Sequence, residues 1–124
     1  MTTNANQTVY AGEVLVGSQI FDQVENIVGA GATKVSINPN IGLTLLDTTA
    51  AAADLVLGPA NKIGTKKTII HVAGGTNGGV LAETDVALAG TIVSLTTSLG
   101  GVISLIYISS GWAILSTNGN VVSA

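Results

Sequence analysis

The side chains of this sequence that could perform chemistry are few and scattered. His71 is the single histidine, and histidine is the one side chain that titrates near neutral pH without special tuning. Glu83 and Asp85 stand two residues apart, so on a strand both carboxylates would lie on one face. A hydrolase would combine His71 with one of these carboxylates. Because no serine or cysteine nucleophile has an assignable spacing from His71, we expect a structural histidine and no enzymatic activity.

Two glycine-containing segments resemble nucleotide-binding loops but lack the required residues. The segment Gly29-Ala30-Gly31-Ala32-Thr33-Lys34 carries lysine where a dinucleotide fingerprint needs its third glycine, and strand-forming residues follow it instead of a helix. The segment from Gly58 to Lys66 has no Gly-Lys-Ser/Thr, and Pro59 removes a backbone N–H that a phosphate cradle would use. Both segments therefore read as turns, and we expect no cofactor.

The carboxylates and the cysteine count also argue against a metal site. Calcium requires six or more oxygen ligands, and Glu83 with Asp85 supply only part of that number. Asp47 and Asp54 are explained by turn and capping roles. The sequence has no cysteine, which removes zinc–sulfur sites and thiolate nucleophiles. We expect no bound metal.

The aromatic residues leave one open question about ligand binding. There are four of them, Tyr10, Phe21, Tyr107 and Trp112. In a carbohydrate-binding module, Trp112 and the loop from Gly74 to Gly79 would form the contact surface. The alternative is a tryptophan that fills the core at the start of a hairpin, and the usual burial of this side chain favours that reading.

The charge distribution limits the classes of partner. With four lysines, no arginine and a net charge of −3, the chain cannot form the cationic surface that nucleic acids require. Only 9% of the residues are charged, whereas the surface of a soluble domain carries about 25–35%. No charged residue occurs from Val86 to Ala124. We infer a body whose neutral surface is covered by companions.

Membrane insertion does not explain this uncharged stretch. Glycine, serine and threonine interrupt it every few residues, and it never reaches the length of apolar sequence that a spanning helix needs. Residues 1–8 have neither the basic nor the apolar part of a signal peptide. We therefore expect no membrane association.

Short apolar segments separated by turn residues predict an all-β fold. Gly100-Gly101, Ser110-Gly111 and Asn118-Gly119-Asn120 are typical hairpin turns. Both faces of Val102 to Ile108 are mostly apolar, so this strand is central or faces another subunit. The alanines at 50–53 could form one helical turn. The predicted strands are 13–17, 21–28, 34–37, 43–46, 55–57, 66–72, 80–81, 86–88, 91–97, 102–109 and 112–117.

These segments predict a single β-sandwich or jelly-roll domain over residues 11–124. No fixed short repeat is present, which argues against an ice-binding β-solenoid. Residues 1–10 form an extended N-terminal arm, rich in threonine, asparagine and glutamine, with little to bury on its own body. The arm would order against a neighbouring subunit by adding a strand to its edge. The expected partner contacts are Thr8, Val9, Tyr10 and Trp112.

Several segments together resemble a β module that is common in structural proteins of tailed bacteriophages. The resemblance spans residues 43–122. In that family a segment ending in Leu-Pro precedes Gly-Lys and a Thr-Ile-Lys-like strand, and a hydrophobic strand leads into a Gly-Trp hairpin. Here Gly58 interrupts Leu-Pro and Thr65 interrupts Gly-Lys. The segments that carry the resemblance are Leu43-Thr44-Leu45-Leu46-Asp47, Leu57 to Ile70, and Val102 to Ile108 followed by Ser110-Gly111-Trp112-Ala113-Ile114-Leu115-Ser116.

The resemblance implies a role in the virion. Such modules occur in tail fibres, receptor-binding tips and small capsid decoration or cement proteins, frequently as homotrimers. A short chain without rod repeats or heptads favours the capsid. We therefore expect a decoration protein on the outer capsid surface, whose partners are its own copies and the major capsid protein. The alternative is a tail-fibre or carbohydrate-binding tip module.

Overall fold

The structure, a computed structural model, describes residues 23–74, 76–86, 94–109 and 111–123. It is all-β, with no helix among these residues, and two mixed five-stranded sheets pack face to face. The predicted all-β sandwich is confirmed, whereas the finer jelly-roll connectivity is not. The strands in chain order are β1 (Val24–Val28), β2 (Lys34–Ile37), β3 (Leu43–Thr48), β4 (Ala53–Leu57), β5 (Lys66–Gly74), β6 (Gly79–Val86), β7 (Ser94–Thr97), β8 (Val102–Ile108), β9 (Gly111–Asn118) and β10 (Val121–Ser123).

From β1 to β6 the chain alternates between the two sheets, so each sheet gains one strand per coil. Sheet I has the order β9-β8-β5-β3-β1, and sheet II has the order β10-β7-β6-β4-β2. The pairs among β1, β3 and β5 are parallel, as are those among β2, β4 and β6. After β6 the chain reverses, and the remaining strands pair antiparallel. The result is a stack of five two-strand layers that follows the order of the sequence.

The sequence has no fixed repeat, so a stack of similar layers was not expected. Val24 pairs with Leu43 and Leu43 pairs with Thr68, so the second coil is longer than the first. Coils of unequal length produce no fixed period. The absence of a sequence repeat therefore does not exclude a stack of layers.

The connections between the sheets also stack, which explains their small residues. Gly29 N–H donates to the Asp47 carbonyl and Gly31 N–H to the Ala52 carbonyl, both at 2.8 Å. A Cβ on Gly29 would lie 2.6 Å from the Ala52 carbonyl oxygen, so only glycine fits there. The alanines at 50–53 form a bend and the start of β4. The predicted helical turn is wrong, because this segment must carry the chain between sheets.

Turn positions in the C-terminal part were predicted well, but two of the turn types were wrong. The β8–β9 connection joins neighbouring antiparallel strands of sheet I, as a hairpin does. The connections at 98–101 and 119–120 carry the chain from one sheet to the other instead. β8 pairs with both β5 and β9, which confirms its predicted central position.

The core fills the space between the sheets with inward-facing side chains from alternate strand positions. Seven of the ten strands contribute fully buried apolar residues to it. Strand β7 adds the buried Thr97. No fully buried residue is described on the edge strands β1 and β10. Burying this apolar surface supplies the main driving force for folding. The apolar core residues are Ile37, Leu46, Ala53, Leu55, Leu57, Ile69, Leu81, Ile103, Leu105 and Trp112.

Candidate interaction surface

His71 lies in the interior, near the end of β5, and bonds to a threonine. Its Nε2 atom is 2.7 Å from Thr48 Oγ1. The Thr48 hydroxyl donates its one proton to the Asn77 carbonyl oxygen at 2.9 Å, so it can only accept from the histidine. His71 therefore carries its proton on Nε2 when neutral. Nδ1 has no hydrogen-bond partner among the described residues. The expected structural role agrees with this buried position.

A second buried polar cluster was not predicted from the sequence. Lys67 is buried, and its ammonium nitrogen donates to the carbonyls of Asn38 and Ile41, both at 2.8 Å, and to Thr44 Oγ1 at 2.6 Å. The Thr44 hydroxyl donates in turn to Glu25 Oε1 at 2.7 Å. These contacts link β1, β3 and β5. Burial lowers the pKa of Lys67 below its ordinary value, while the negative charge of Glu25 opposes that shift.

The two aspartates expected in turns have different roles. Asp47 Oδ1 accepts a hydrogen bond from the backbone N–H of Thr49 at 2.8 Å, and the Thr49 hydrogen bonds lower the pKa of Asp47. Its turn role is therefore confirmed. Asp54 instead lies on β4, where its Oδ2 is 3.2 Å from the Lys34 ammonium nitrogen on the paired strand β2. The turn or capping role predicted for Asp54 is wrong, because strand pairing places it beside a lysine.

The carboxylate pair considered for a cation lies on β6. Glu83 and Asp85 both fall within this strand, and their side chains are outside the described set. Within that set, no group of three or more histidine, cysteine, aspartate or glutamate residues is placed to hold a metal ion. Within the same limits, no helix is long and apolar enough to cross a membrane.

Trp112 is a core residue of β9, with no exposed surface. Its indole N–H donates to the Gly58 carbonyl at 2.9 Å, and its ring centroid lies 5.3 Å from that of Tyr107. This placement agrees with the core interpretation and leaves the Trp112 ring no exposed surface for stacking on a sugar. The other expected partner contacts, Thr8, Val9 and Tyr10, lie outside the described residues.

Because the layers follow chain order, charged residues that are unevenly distributed along the sequence are also unevenly distributed along the stack. Strands β7, β8, β9 and β10 belong to the stretch without charged residues, and they form the last two layers of the stack. We call these two layers the uncharged end. The ion pair between Lys34 and Asp54 and the contact between Lys67 and Glu25 both lie in the first three layers. Among the described residues, this end of the stack therefore carries no charged side chain.

The outer surface of sheet I is also largely apolar. Val24 and Val28 on β1 are 48% and 59% exposed, and Val72, at a register shift in β5, is 47% exposed. Leu45 and Ile70 pair in register between them. We call this surface the aliphatic face. Its outward positions on β1, β3, β5 and β8 are Val24, Asn26, Val28, Leu43, Leu45, Asp47, Lys66, Thr68, Ile70, Val72, Val102, Ser104, Ile106 and Ile108.

A shallow groove of about 210 Å³ crosses the aliphatic face toward the edge strand β9. Thr68, Ser104 and Ser116 line it in one register row across three strands. Lys66 and Leu115 also line it. Ligand pockets for small molecules are typically about 300–1,000 Å³. The groove is therefore better sized for a side chain of a partner than for an oligosaccharide.

Comparisons with known proteins supply no family for this chain. No protein-family model matches it, and no curated protein matches its sequence.

Proposed function

We propose that this chain is a structural virion protein that decorates the outside of a tailed-phage capsid and stabilises it. The aliphatic face is the observation that carries the proposal. Isolated apolar residues are normal on a protein surface, but a contiguous apolar patch usually marks an interaction site. Only Lys66 and Asp47 carry charge among its outward positions.

The chemistry of the described side chains fits a binding role. The buried polar groups His71 and Lys67 are both engaged in contacts between strands. Such contacts stabilise the fold, so we look for the functional residues on the surface. A decoration protein needs affinity from packing against a shell, which the aliphatic face offers.

The partners follow from the same proposal. The major capsid protein would contact the aliphatic face, and further copies of the chain would complete a homotrimer. A side chain of the shell could enter the groove beside Ser104. The carbohydrate-binding alternative is less well supported, because Trp112 is buried.

Co-sedimentation with capsid shells that lack the protein tests the proposal. We expect wild-type protein to pellet with the shells and to raise their resistance to heat. Val28→Lys and Val72→Lys place a charge on the aliphatic face and should reduce binding by tenfold or more, an order-of-magnitude expectation for a charge that must be buried unpaired.

Ile63→Lys is the matched control, because Ile63 is an exposed aliphatic residue in the loop between β4 and β5. This variant should bind shells like wild type. Failure of the wild-type protein to bind shells would overturn the proposal, and equal binding by all three variants would remove the aliphatic face from it.

A further inference from the structure

The uncharged end offers two strand edges to a partner. β9 is the last strand of sheet I and β10 is the last strand of sheet II, so each pairs on one side only among the described strands. Both edges belong to the same layer. A partner that approaches this end could extend both sheets together, through main-chain hydrogen bonds of the kind that join neighbouring strands.

Exposed apolar side chains stand among neutral polar ones at this end. Leu115 sits at a register shift in β9 and is 52% exposed, while Val122 on β10 is 68% exposed. Leu99 lies close to the turn between β9 and β10, because the Asn120 side-chain amide donates to its carbonyl at 2.8 Å. The edge strands therefore come with apolar side chains and no charge.

The opposite end of the stack is built differently. Among the described strands, its edge strands are β1 and β2, and β1 carries Glu25 while β2 carries Lys34. Charges on edge strands, especially lysines and inward-pointing charges, are the usual protection against pairing with another chain. The uncharged end lacks this protection, so the asymmetry identifies it as the docking end.

Charge also identifies the partner. A charged partner surface would lose water at the uncharged end and gain no counter-charge, which is costly. A second copy presents a neutral end of the same kind. The nearest charged strands, β5 and β6, lie two strands behind each edge, which is about 10 Å at the usual strand spacing. Across two joined ends, with one more strand spacing at the junction, the charged strands would be about 24 Å apart, well beyond the screening length of about 8 Å.

We propose that a second copy of this chain docks on the uncharged end, through the edges of β9 and β10 and the side chains of Leu115 and Val122. The inference rests on the proposed function only for the expected number of copies, which is three. In that trimer the uncharged ends would meet at the symmetry axis, with β9 of each copy against β10 of the next, because a three-fold contact joins two different patches.

Sedimentation equilibrium of the full chain over a range of concentrations tests this assignment. We expect a mass above the 12.3 kDa of one chain, and three times that value for the trimer. Leu115→Lys and Val122→Lys should weaken self-association on the order of tenfold or more, because each lysine would be desolvated at the contact. Val28→Lys, at the other end of the stack, should keep the wild-type mass.

Circular dichroism identifies variants that fail to fold, and Leu115→Ser and Val122→Ser replace any such variant in the comparison. High salt should leave the oligomer intact, because no ionic pair holds it together. A wild-type monomer at all concentrations, or equal loss of mass in Val28→Lys and Leu115→Lys, would overturn the inference.

The two proposals fail separately. Wild-type oligomers that ignore capsid shells would refute the decoration role and keep the docking end. Monomers that bind shells would refute the docking end and keep the decoration role.

Discussion

The Lys67 ammonium nitrogen lies 3.6 Å from Glu25 Oε1, across the parallel strands of sheet I, and Thr44 bridges the two groups. Both carboxylate oxygens of Glu25 also accept from the single backbone N–H of Asn38, at 2.9 and 3.1 Å. Every oxygen and nitrogen of this pair thus has a partner. The cluster joins three strands and the turn after β2 near one end of the core.

Replacing Lys67 with methionine should destabilise the protein. Methionine keeps most of the side-chain volume but leaves the half-buried Glu25 carboxylate without its cation, which costs about 3 kcal/mol for a buried pair. Urea unfolding of the Lys67→Met variant measures this loss. The Glu25→Gln and Lys67→Met double variant should recover part of it. A single variant as stable as wild type would show that the pair contributes nothing.

The lowered pKa of Lys67 predicts a pH dependence of stability on the alkaline side. Because the folded protein releases this proton at lower pH than the unfolded chain, the unfolded chain binds more protons in the window below the ordinary value of 10.5. Stability from this group must therefore rise with pH through that window. The difference in unfolding free energy between wild type and Lys67→Met isolates it, since the other lysines are shared. A difference that is flat or falls from pH 8 toward 10.5 would contradict the pKa direction.

Thr48→Val should cost about 1–3 kcal/mol, because valine has nearly the shape of threonine but leaves His71 Nε2–H and the Asn77 carbonyl without their shared partner. Thermal unfolding measures the cost. Nitrogen NMR of wild-type His71 should show the proton on Nε2 in the neutral ring. A neutral ring protonated on Nδ1 would refute the hydrogen-bond direction assigned here.

Trp112→Ala should destabilise the fold by about 3–5 kcal/mol, the usual cost of removing a large aromatic side chain from a core. Trp112→Phe keeps much of the packing against Tyr107 but loses the hydrogen bond to Gly58, so its cost should be smaller. Chemical denaturation of both variants checks the order. An alanine variant of wild-type stability would show that the ring is not part of the core.

The positions of strands could be predicted from the sequence better than their pairing partners. Strand β2 at residues 34–37 was predicted with its observed bounds, because β-branched residues between turn signals mark a strand locally. The pairing partner of β2 is β4 in a parallel ladder, and no local signal distinguishes that partner from a hairpin neighbour. Strand order depends on contacts between distant residues, which propensities do not encode.

The orientation of strand faces was harder still. On β1 the valines Val24 and Val28 face outward while Glu25 faces the interior, the reverse of what hydrophobic alternation suggests. The inversion is stable because Lys67 and Thr44 supply partners from other strands. The sequence did show Lys67, Ile69 and His71 on one face of β5, and all three are buried. The sequence did not show that hydrogen-bond partners for a buried Lys67 ammonium group would lie on neighbouring strands and turns.

The aliphatic face could not be predicted, because it depends on which side of each strand faces outward. The uncharged end corresponds to a stretch of sequence without charged residues, which is visible in the sequence itself. Its location at one end of the molecule required the layered topology, because only a stack built in chain order turns a neutral segment into a neutral end.

Electron cryomicroscopy of tailed-phage capsid shells incubated with this protein tests the central claim most directly. We predict density for the chain on the outer surface of the capsid lattice, with the aliphatic face toward the shell and the uncharged ends of neighbouring copies in contact. Shells without density for the chain, or a capsid-bound chain with the aliphatic face turned to solvent, would contradict the account.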